Sequence, residues 1–392
     1  MNRNLWLLAL AQGLFLTNNV TFIAINGLVG LSLAPAAWMA TLPVMGYVVG
    51  AALSTGLVAR TQARLGRKRS FQLGLVVALL SAALGAWAVQ DKSFWLLVFA
   101  TVVAGYYSAN AQLYRFAAVE LCAANYRDKA VSWVMAGGLM GAVIGPNLAL
   151  RTKSLLSTDF AGAYAALAVV ALLSLATVSL IRFAPLPQSS AGASQGRSLG
   201  QLVRQPVFLI ALLSASLSYG VMNLLMAATP LAMQTCGLAF SATAWVLEWH
   251  VIGMFAPGFF TGSLIQRFGA VPVMGVGVLL NLACIAVALT GQEPTQFLVA
   301  LFLLGVGWNF LFTGSTSLAI QGYLPQEKNR AQALINFCMF ATMAFTSFAS
   351  GALVTSQGWN WLNIGSLPAV LLMGAGLLWL QRRQASGVGQ GA

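Results

Sequence analysis

The sequence is poor in charge. Of its 392 residues only 7% are Asp, Glu, Lys or Arg, whereas 59% are hydrophobic. Because a soluble domain carries about 25% charged residues, a water-soluble globular fold is excluded. Strand-like alternation is also absent, which argues against a transmembrane β-barrel. Long apolar runs recur along the whole chain, and each is close to the ~20 residues that a helix needs to cross a bilayer.

Residues that bind metals or perform catalysis are scarce. The chain has four cysteines, none in a CxxC pair, and one histidine, His250. We therefore expect no disulfides, no thiolate metal site, no bound cofactor and no enzymatic activity. The net charge of +13 does not indicate nucleic acid, because the basic residues lie in short loops, as in membrane proteins. The first apolar run is too long for a signal-peptide core and lacks a cleavage site.

One long polar interval divides the apolar spans six and six. This interval, 185–204, is rich in Pro, Ser, Gly and Gln and predicts a flexible cytoplasmic linker between an N-terminal bundle, 1–184, and a C-terminal bundle, 205–392. With both termini in the cytoplasm, 16 Lys and Arg lie on the inner side and 3 on the outer side, as the positive-inside rule requires. The spans lie at roughly 5–31, 36–59, 68–89, 93–118, 129–150, 159–184, 205–233, 241–265, 271–290, 294–320, 330–354 and 359–381.

The two halves repeat at an offset of 203 residues. The tetrapeptide ARLG at 63–66 recurs as QRFG at 266–269, and Arg127 falls on Arg330. A constant offset indicates duplication with both copies in the same orientation. The sequence therefore predicts an all-α membrane protein with twelve transmembrane helices in two six-helix pseudo-repeats, an architecture typical of transporters whose substrate site lies near the midplane.

Two residue pairs at helical spacing form the candidate site. Met222 and Met226 lie in span seven, and His250 and Met254 lie in span eight, each pair at i, i+4 and so on one face of its helix. The pairs are equally distant from a break near Leu238, so an antiparallel hairpin would place them opposite each other. Thioethers suit Cu(I), imidazole suits several transition metals, and neither brings a costly anion into the membrane.

Glu248 is the other unusual residue of span eight. At 1.5 Å per residue it lies roughly 10 Å inside the outer end of the span. Its carboxylate has two possible functional roles, to couple transport to protons or to bind the ion on entry. Alternatively, it is a solvated group in an outer vestibule. The methionines also have a plain alternative, because Met packs well in apolar helices and a further i, i+4 pair occurs at Met339 and Met343.

The chain resembles the major facilitator superfamily over essentially its whole length. The superfamily loop GxLADRxGRK appears between spans two and three as ARTQARLGRK, at 59–68, with Ala59 replacing the glycine and Ala63 the acid. Within the superfamily, MxxxM on span seven and HxxxM on span eight resemble the paired motifs of CcoA-like copper importers. Other members of that branch are similar to riboflavin transporters and lack both motifs.

The resemblance implies an alternating-access importer of copper in the bacterial cytoplasmic (inner) membrane, supplying the assembly of cbb3-type cytochrome oxidase. Copper would be the transported substrate, and its ligands would be Met222, Met226, His250 and Met254. The expected partners are the copper ion and the lipid bilayer, and the expected oligomeric state is a monomer. The identity of the proteins that donate or accept copper is left open. One rival hypothesis is a transporter of riboflavin or another small organic solute. The second is a membrane sensor or scaffold that transports nothing.

Overall fold

The computed structural model describes residues 2–35, 39, 42–156, 158–183 and 196–388. Across these residues the secondary structure is helical, and turns or short 3-10 segments join the helices. In chain order the α-helices are α1 (Arg3–Leu33), α2 (Leu42–Gln90), α3 (Phe94–Ala111), α4 (Tyr114–Glu120), α5 (Arg127–Ala136), α6 (Leu139–Thr152), α7 (Ala161–Leu180), α8 (Leu199–Val203), α9 (Pro206–Thr235), α10 (Phe240–Phe255), α11 (Gly258–Phe268), α12 (Ala270–Ala288), α13 (Pro294–Gly322), α14 (Lys328–Ser356) and α15 (Gly358–Val388).

Within the described residues, ten helical stretches are long and apolar enough to cross a membrane. One of them, the 49-residue α2, joins the predicted spans two and three across a bend at Gly66. The predicted span eight consists of α10 and α11 in succession. With α2 counted as two spans and α10–α11 as one, the described helices account for all twelve predicted spans.

The backbone repeats where the sequence repeats. Gly66 has φ 80° and ψ 170°, and Gly269, 203 residues later, has φ 86° and ψ 162°. This region of φ/ψ space is accessible almost only to glycine. Each glycine therefore makes the same sharp bend between two helices, which is why the loop motif recurs in both halves.

Local signals in the sequence set several helix starts. The side chain of Asn2 caps α1 by accepting from the backbone N–H of Leu5, at 2.9 Å. Pro206 begins α9, where a missing N–H costs nothing because the first turn has no intrahelical partner for it. Glu293 and Gln296 form a reciprocal capping box at the start of α13.

The chain divides into two compact units, each with its own buried interior. Unit 1 comprises Met1–Tyr126, Trp133–Ser194 and Gln332–Ala341, and unit 2 comprises Arg127–Ser132, Gln195–Ala331 and Thr342–Ala392. Inside unit 1 the Tyr164 hydroxyl donates to Oδ1 of Asn26, at 2.9 Å, so a polar pair is satisfied within the apolar core. Inside unit 2, α13 is a central helix that packs against α9, α10 and α12.

The predicted linker is only partly described. Residues 184–195 lie outside the described residues. Beyond them, the end of the predicted linker contains the short helix α8. Ser198 and Gln201 form a capping box that starts this short helix, a local signal that the polar composition of the interval obscured.

Candidate functional site

The Met and His pairs lie on the two arms of a helical hairpin. The first arm, α9, ends at Thr235, and the second arm, α10, begins at Phe240. Gly237, at φ 72°, makes the turn, and the N–H of Leu238 closes it by donating to the carbonyl of Met233. The helix–turn–helix geometry and the position of the break agree with the sequence prediction.

Three of the four predicted ligands are buried. His250 is fully inaccessible to solvent, and Met222 and Met254 are buried, whereas Met226 is half-buried. Glu248 is exposed, on a different face of α10 from His250. The burial of the imidazole is informative, because an ionisable group in a membrane span requires a polar partner.

The imidazole of His250 finds that partner on α13. Its Nδ1 lies 2.7 Å from the backbone carbonyl oxygen of Leu301. Because a carbonyl only accepts hydrogen bonds, Nδ1 carries the proton, and a neutral ring then has its lone pair on Nε2. Nε2 has no hydrogen-bond partner among the described residues. The ring therefore offers one nitrogen to a ligand and uses the other to fix its own orientation.

The two backbones of α10 and α13 touch next to this bond. A Cβ added to Gly305 would lie 2.4 Å from the carbonyl oxygen of His250, and one added to Gly253 would lie 2.9 Å from the carbonyl oxygen of Phe302. Only glycines permit so close an approach. Leu301, Gly305 and Asn309 follow one another at i, i+4 and i+8, so they form one stripe along α13, which we call the α13 stripe.

The prediction that the Met pair of α9 directly faces the His and Met pair of α10 needs correction. The structure packs α10 chiefly against α13 rather than against α9, and α9 also packs against α13. Helices of uniformly apolar composition can pack on any face, so the adjacency of two helices in sequence does not decide their closest neighbour. His250 and Met254 are brought together on the α13 stripe. A shared ligand shell with Met222 and Met226 stays a prediction.

Sequence reasoning missed the polar and aromatic residues of α13. Asn309 is fully buried, donates to the carbonyl of Met254 at 2.7 Å and lies 2.7 Å from the hydroxyl of Thr261. The neighbouring Trp308 is also fully buried. The available signal was the run GVGWN at 305–309, where two glycines and an amide interrupt a strongly apolar span.

The chemistry open to this site is that of neutral donors. Across the described residues, no three His, Cys, Asp or Glu side chains gather where they could hold a metal. The four predicted ligands themselves are three thioethers and one imidazole, and thioethers favour a soft ion.

The sequence profile of the Major Facilitator Superfamily matches residues 5–247 and 211–391. The chain belongs to this superfamily. It is therefore a multi-pass membrane transport protein and not an enzyme, and the superfamily prediction is confirmed.

Two curated relatives from the superfamily align over most of the chain. Riboflavin transporter RfnT of Brucella anthropi is 36% identical over 374 residues, which is 95% of this chain and 94% of the relative. The uncharacterized MFS-type transporter YddS of Bacillus subtilis is 25% identical, over 88% of this chain and 83% of the relative. RfnT agrees with the riboflavin hypothesis more than with the copper hypothesis, and neither relative provides support for the CcoA-like branch.

Solved structures of the superfamily share the fold. FucP in its outward conformation superposes with a TM-score of 0.76 at 17% identity, covering 97% of this chain and 98% of that structure. A bacterial homologue of the iron transporter ferroportin, in an outward-facing state, gives 0.75 at 14% identity, covering 97% and 100%. At such low identity the likeness defines the fold and carries no information on cargo.

Proposed function

We propose that the protein carries riboflavin or a similar small aromatic solute across the membrane by alternating access. The observation that supports this cargo is the 36% identity to a riboflavin transporter over 95% of this chain. Because the alignment extends through both halves, it includes all the helices that can contribute to a solute site. Secondary transport by rocking of the two repeats is the mechanism that this architecture supports.

An aromatic cluster in unit 2 is suited to such a solute. Trp308 stacks on Phe312 with 4.7 Å between ring centroids, and Tyr219 and Phe255 approach the Trp308 ring edge-to-face at 5.4 and 5.8 Å. The Nε1 donor of Trp308 is buried without a hydrogen-bond partner among the described residues. A buried donor left unpaired is unfavourable, so a solute that stacks on these rings and accepts from Nε1 would relieve that cost.

A second cargo, copper, is favoured by one specific observation. Nε2 of His250 is buried and unpaired while Nδ1 is fixed by the Leu301 carbonyl, which is the arrangement that prepares a histidine to bind a metal. Met254 shares its face of α10, and Met222 and Met226 lie on the other arm of the hairpin. In this alternative the four residues bind the ion during its transfer, and Glu248 serves as an entry or coupling group.

One uptake experiment separates the two cargoes. Cells that cannot take up riboflavin receive the wild-type gene, an empty vector, or a variant with Met222→Leu, Met226→Leu, His250→Gln and Met254→Leu. Radiolabelled riboflavin uptake and total cell copper are measured and normalised to the amount of protein in the membrane. A Met339→Leu, Met343→Leu variant controls for loss of thioethers at the same helical spacing elsewhere.

The riboflavin proposal predicts uptake above the vector level in wild type, in the control variant and, within about twofold, in the fourfold variant, because leucine fills nearly the same volume as methionine. Cell copper should then equal the vector level throughout. Copper accumulation that requires the four residues, with riboflavin uptake at background, would refute the first cargo and support the second.

A further inference from the structure

Span eight is interrupted directly after Met254. The helix α10 ends at Phe255, and α11 begins at Gly258. Pro257 has no N–H to donate to the carbonyl four residues earlier, so the hydrogen-bond ladder is broken here. Beyond it, the Pro257 carbonyl accepts both an i+3 bond from the Phe260 N–H, at 2.9 Å, and an i+4 bond from the Thr261 N–H, at 2.8 Å. A broken transmembrane span needs its freed carbonyls satisfied by neighbours.

The side chain of Asn309 reaches from α13 to a different carbonyl beside the break, that of Met254. Its Nδ2 donates to the carbonyl of Met254, the last turn of α10, at 2.7 Å. Its Oδ1 lies 2.7 Å from the hydroxyl of Thr261, in the first turn of α11, and this hydroxyl also lies 2.8 Å from the Pro257 carbonyl. One amide therefore contacts both sides of the break. All of this occurs away from solvent, since Asn309 and Thr261 are fully buried and Met254 is nearly so.

The chemistry of this contact requires a side chain that can both donate and accept. An amide group is both donor and acceptor, whereas a carboxylate cannot donate to the Met254 carbonyl and leucine can do neither. The rest of the α13 stripe already holds α10, through the Leu301 carbonyl and the close approach at Gly305. Asn309 is the member of the stripe that reaches across to α11.

We propose that Asn309 is a positioning residue for transport, which couples α10 to α11 so that the broken span eight moves as one element. Discontinuous helices are the elements that superfamilies of this kind use to form and gate substrate sites. The inference depends on the transport function that the superfamily membership shows and is independent of whether the cargo is riboflavin or copper.

Hydrogen exchange across the break tests the coupling directly. Full-length protein in lipid nanodiscs is compared as wild type and as Asn309→Leu, which is similar in size and makes neither hydrogen bond. Deuterium uptake is followed in peptides covering residues 254–262 and, for reference, in peptides from α12. We expect exchange at the break to rise about tenfold in the variant, because the hydrogen bonds that hold it are lost, while exchange in α12 stays the same.

Two further variants separate positioning from simple loss of a buried amide. Asn281→Ala removes an equally buried asparagine of α12 whose amide atoms make no hydrogen bond to any described residue, so it should leave exchange at the break unchanged. Thr261→Val removes the α11 contact and also the contact of its hydroxyl with the Pro257 carbonyl, at 2.8 Å, but it leaves the Met254 contact. At the amides next to Met254 it should therefore raise exchange less than Asn309→Leu does.

Uptake in proteoliposomes completes the test, with riboflavin and Cu(I) each supplied as probe. The maximal rate for whichever probe wild type transports should fall at least tenfold in Asn309→Leu and less than twofold in Asn281→Ala. If Asn309→Leu does not fold, Asn309→Ala, which also makes neither hydrogen bond, is measured in its place with the same expectations. Unchanged exchange at the break, or full transport despite faster exchange, would overturn the proposal. Transport of neither probe by wild type would instead contradict the proposed cargoes and leave the exchange result to decide the role of Asn309.

Discussion

Equivalent positions in the two halves of the molecule make different hydrogen bonds. In the first half the Tyr47 hydroxyl donates to Oδ1 of Asn19, at 2.7 Å, so α2 is tied to α1 by a mutually satisfied polar pair. In the second half the equivalent position, 203 residues later, is His250, whose ring is bonded to the Leu301 carbonyl instead. Met222 stands where the first half has Asn19. The first half therefore closes this position internally, whereas the second leaves Nε2 of the imidazole open.

The helix crossings beside these positions are shared. A Cβ added to Gly50 would lie 2.2 Å from the carbonyl oxygen of Val102, and Gly253, its equivalent, is similarly close to Phe302. The scaffold is thus repeated while the side chains next to it have diverged. Function in this family is therefore to be sought where the halves differ, because the shared features already explain the fold.

In this comparison, we expect the largest loss of stability from mutations that break an ion pair. In the first half Arg67 is the more buried partner, with its side chain 5% exposed against 26% for Glu120, and the two meet at 2.8 Å. In the second half the carboxylate is the buried one, with Glu327 at 0% and Arg197 at 30%, meeting at 2.6 Å. Removing the more exposed partner leaves a buried charge without its counter-ion, whereas removing the buried partner leaves a group that water can reach.

We therefore expect Glu120→Ala and Arg197→Ala to cost about 3–5 kcal/mol each, and Arg67→Ala and Glu327→Ala to cost less. The thermal unfolding midpoint of each detergent-purified variant measures the order. Arg64→Ala, an exposed arginine of the same loop as Arg67, is the control and should change little. If removing the buried partner destabilises the protein more in either half, then burial does not determine the cost of breaking these pairs.

The bends at Gly66 and Gly269 should respond alike. Alanine at either position would be held in a glycine-only backbone conformation, at a cost of about 1–3 kcal/mol. Gly275→Ala in α12 is the matched control, because an added Cβ there meets nothing within 4 Å and should be neutral or slightly stabilising. Thermal unfolding of the three variants measures this, and a large effect at only one of the two bends would argue against their structural equivalence.

The smallest effect should come from the positions that opened this comparison. Tyr47→Phe and His250→Gln each remove or alter a single side-chain hydrogen bond, so each should lower the free energy of unfolding by about 0.5–1.5 kcal/mol. Riboflavin uptake per folded molecule should stay within about twofold in both. A His250 variant that keeps its stability but loses transport would show instead that the open Nε2 binds the cargo.

Much of the fold could be predicted from the sequence because the determining forces are local. Apolar runs of membrane-spanning length must be helical in a bilayer, since each backbone group needs a partner within the segment. The repeated loop around Gly66 and Gly269 and the hairpin turn at Gly237 follow from the conformational freedom of glycine. Helical periodicity alone also placed the candidate residues on faces of their helices, namely Met222, Met226, His250 and Met254.

The partners of those residues could not be predicted, because apolar helices carry little information on which neighbour they choose. Glu120 pairs with Arg67 across 53 residues of sequence, although the superfamily's usual acid is absent at Ala63. Gln332 reaches the same guanidinium from 265 residues away, at 2.8 Å. Contacts of such separation depend on the packing of whole helices, and no motif records them.

By itself, the sequence determined that this chain crosses the membrane repeatedly, that it is built from two copies of one unit, and where the loop motif of one copy recurs in the other. These properties depend on hydropathy, charge and glycine, which act within a few residues of where they occur. Only the tertiary structure decided that His250 turns to the Leu301 carbonyl, that α13 rather than α9 is the main neighbour of α10, and that Asn309 bridges the broken span. Each of these is a choice among apolar faces of similar composition, and close packing in three dimensions resolves it.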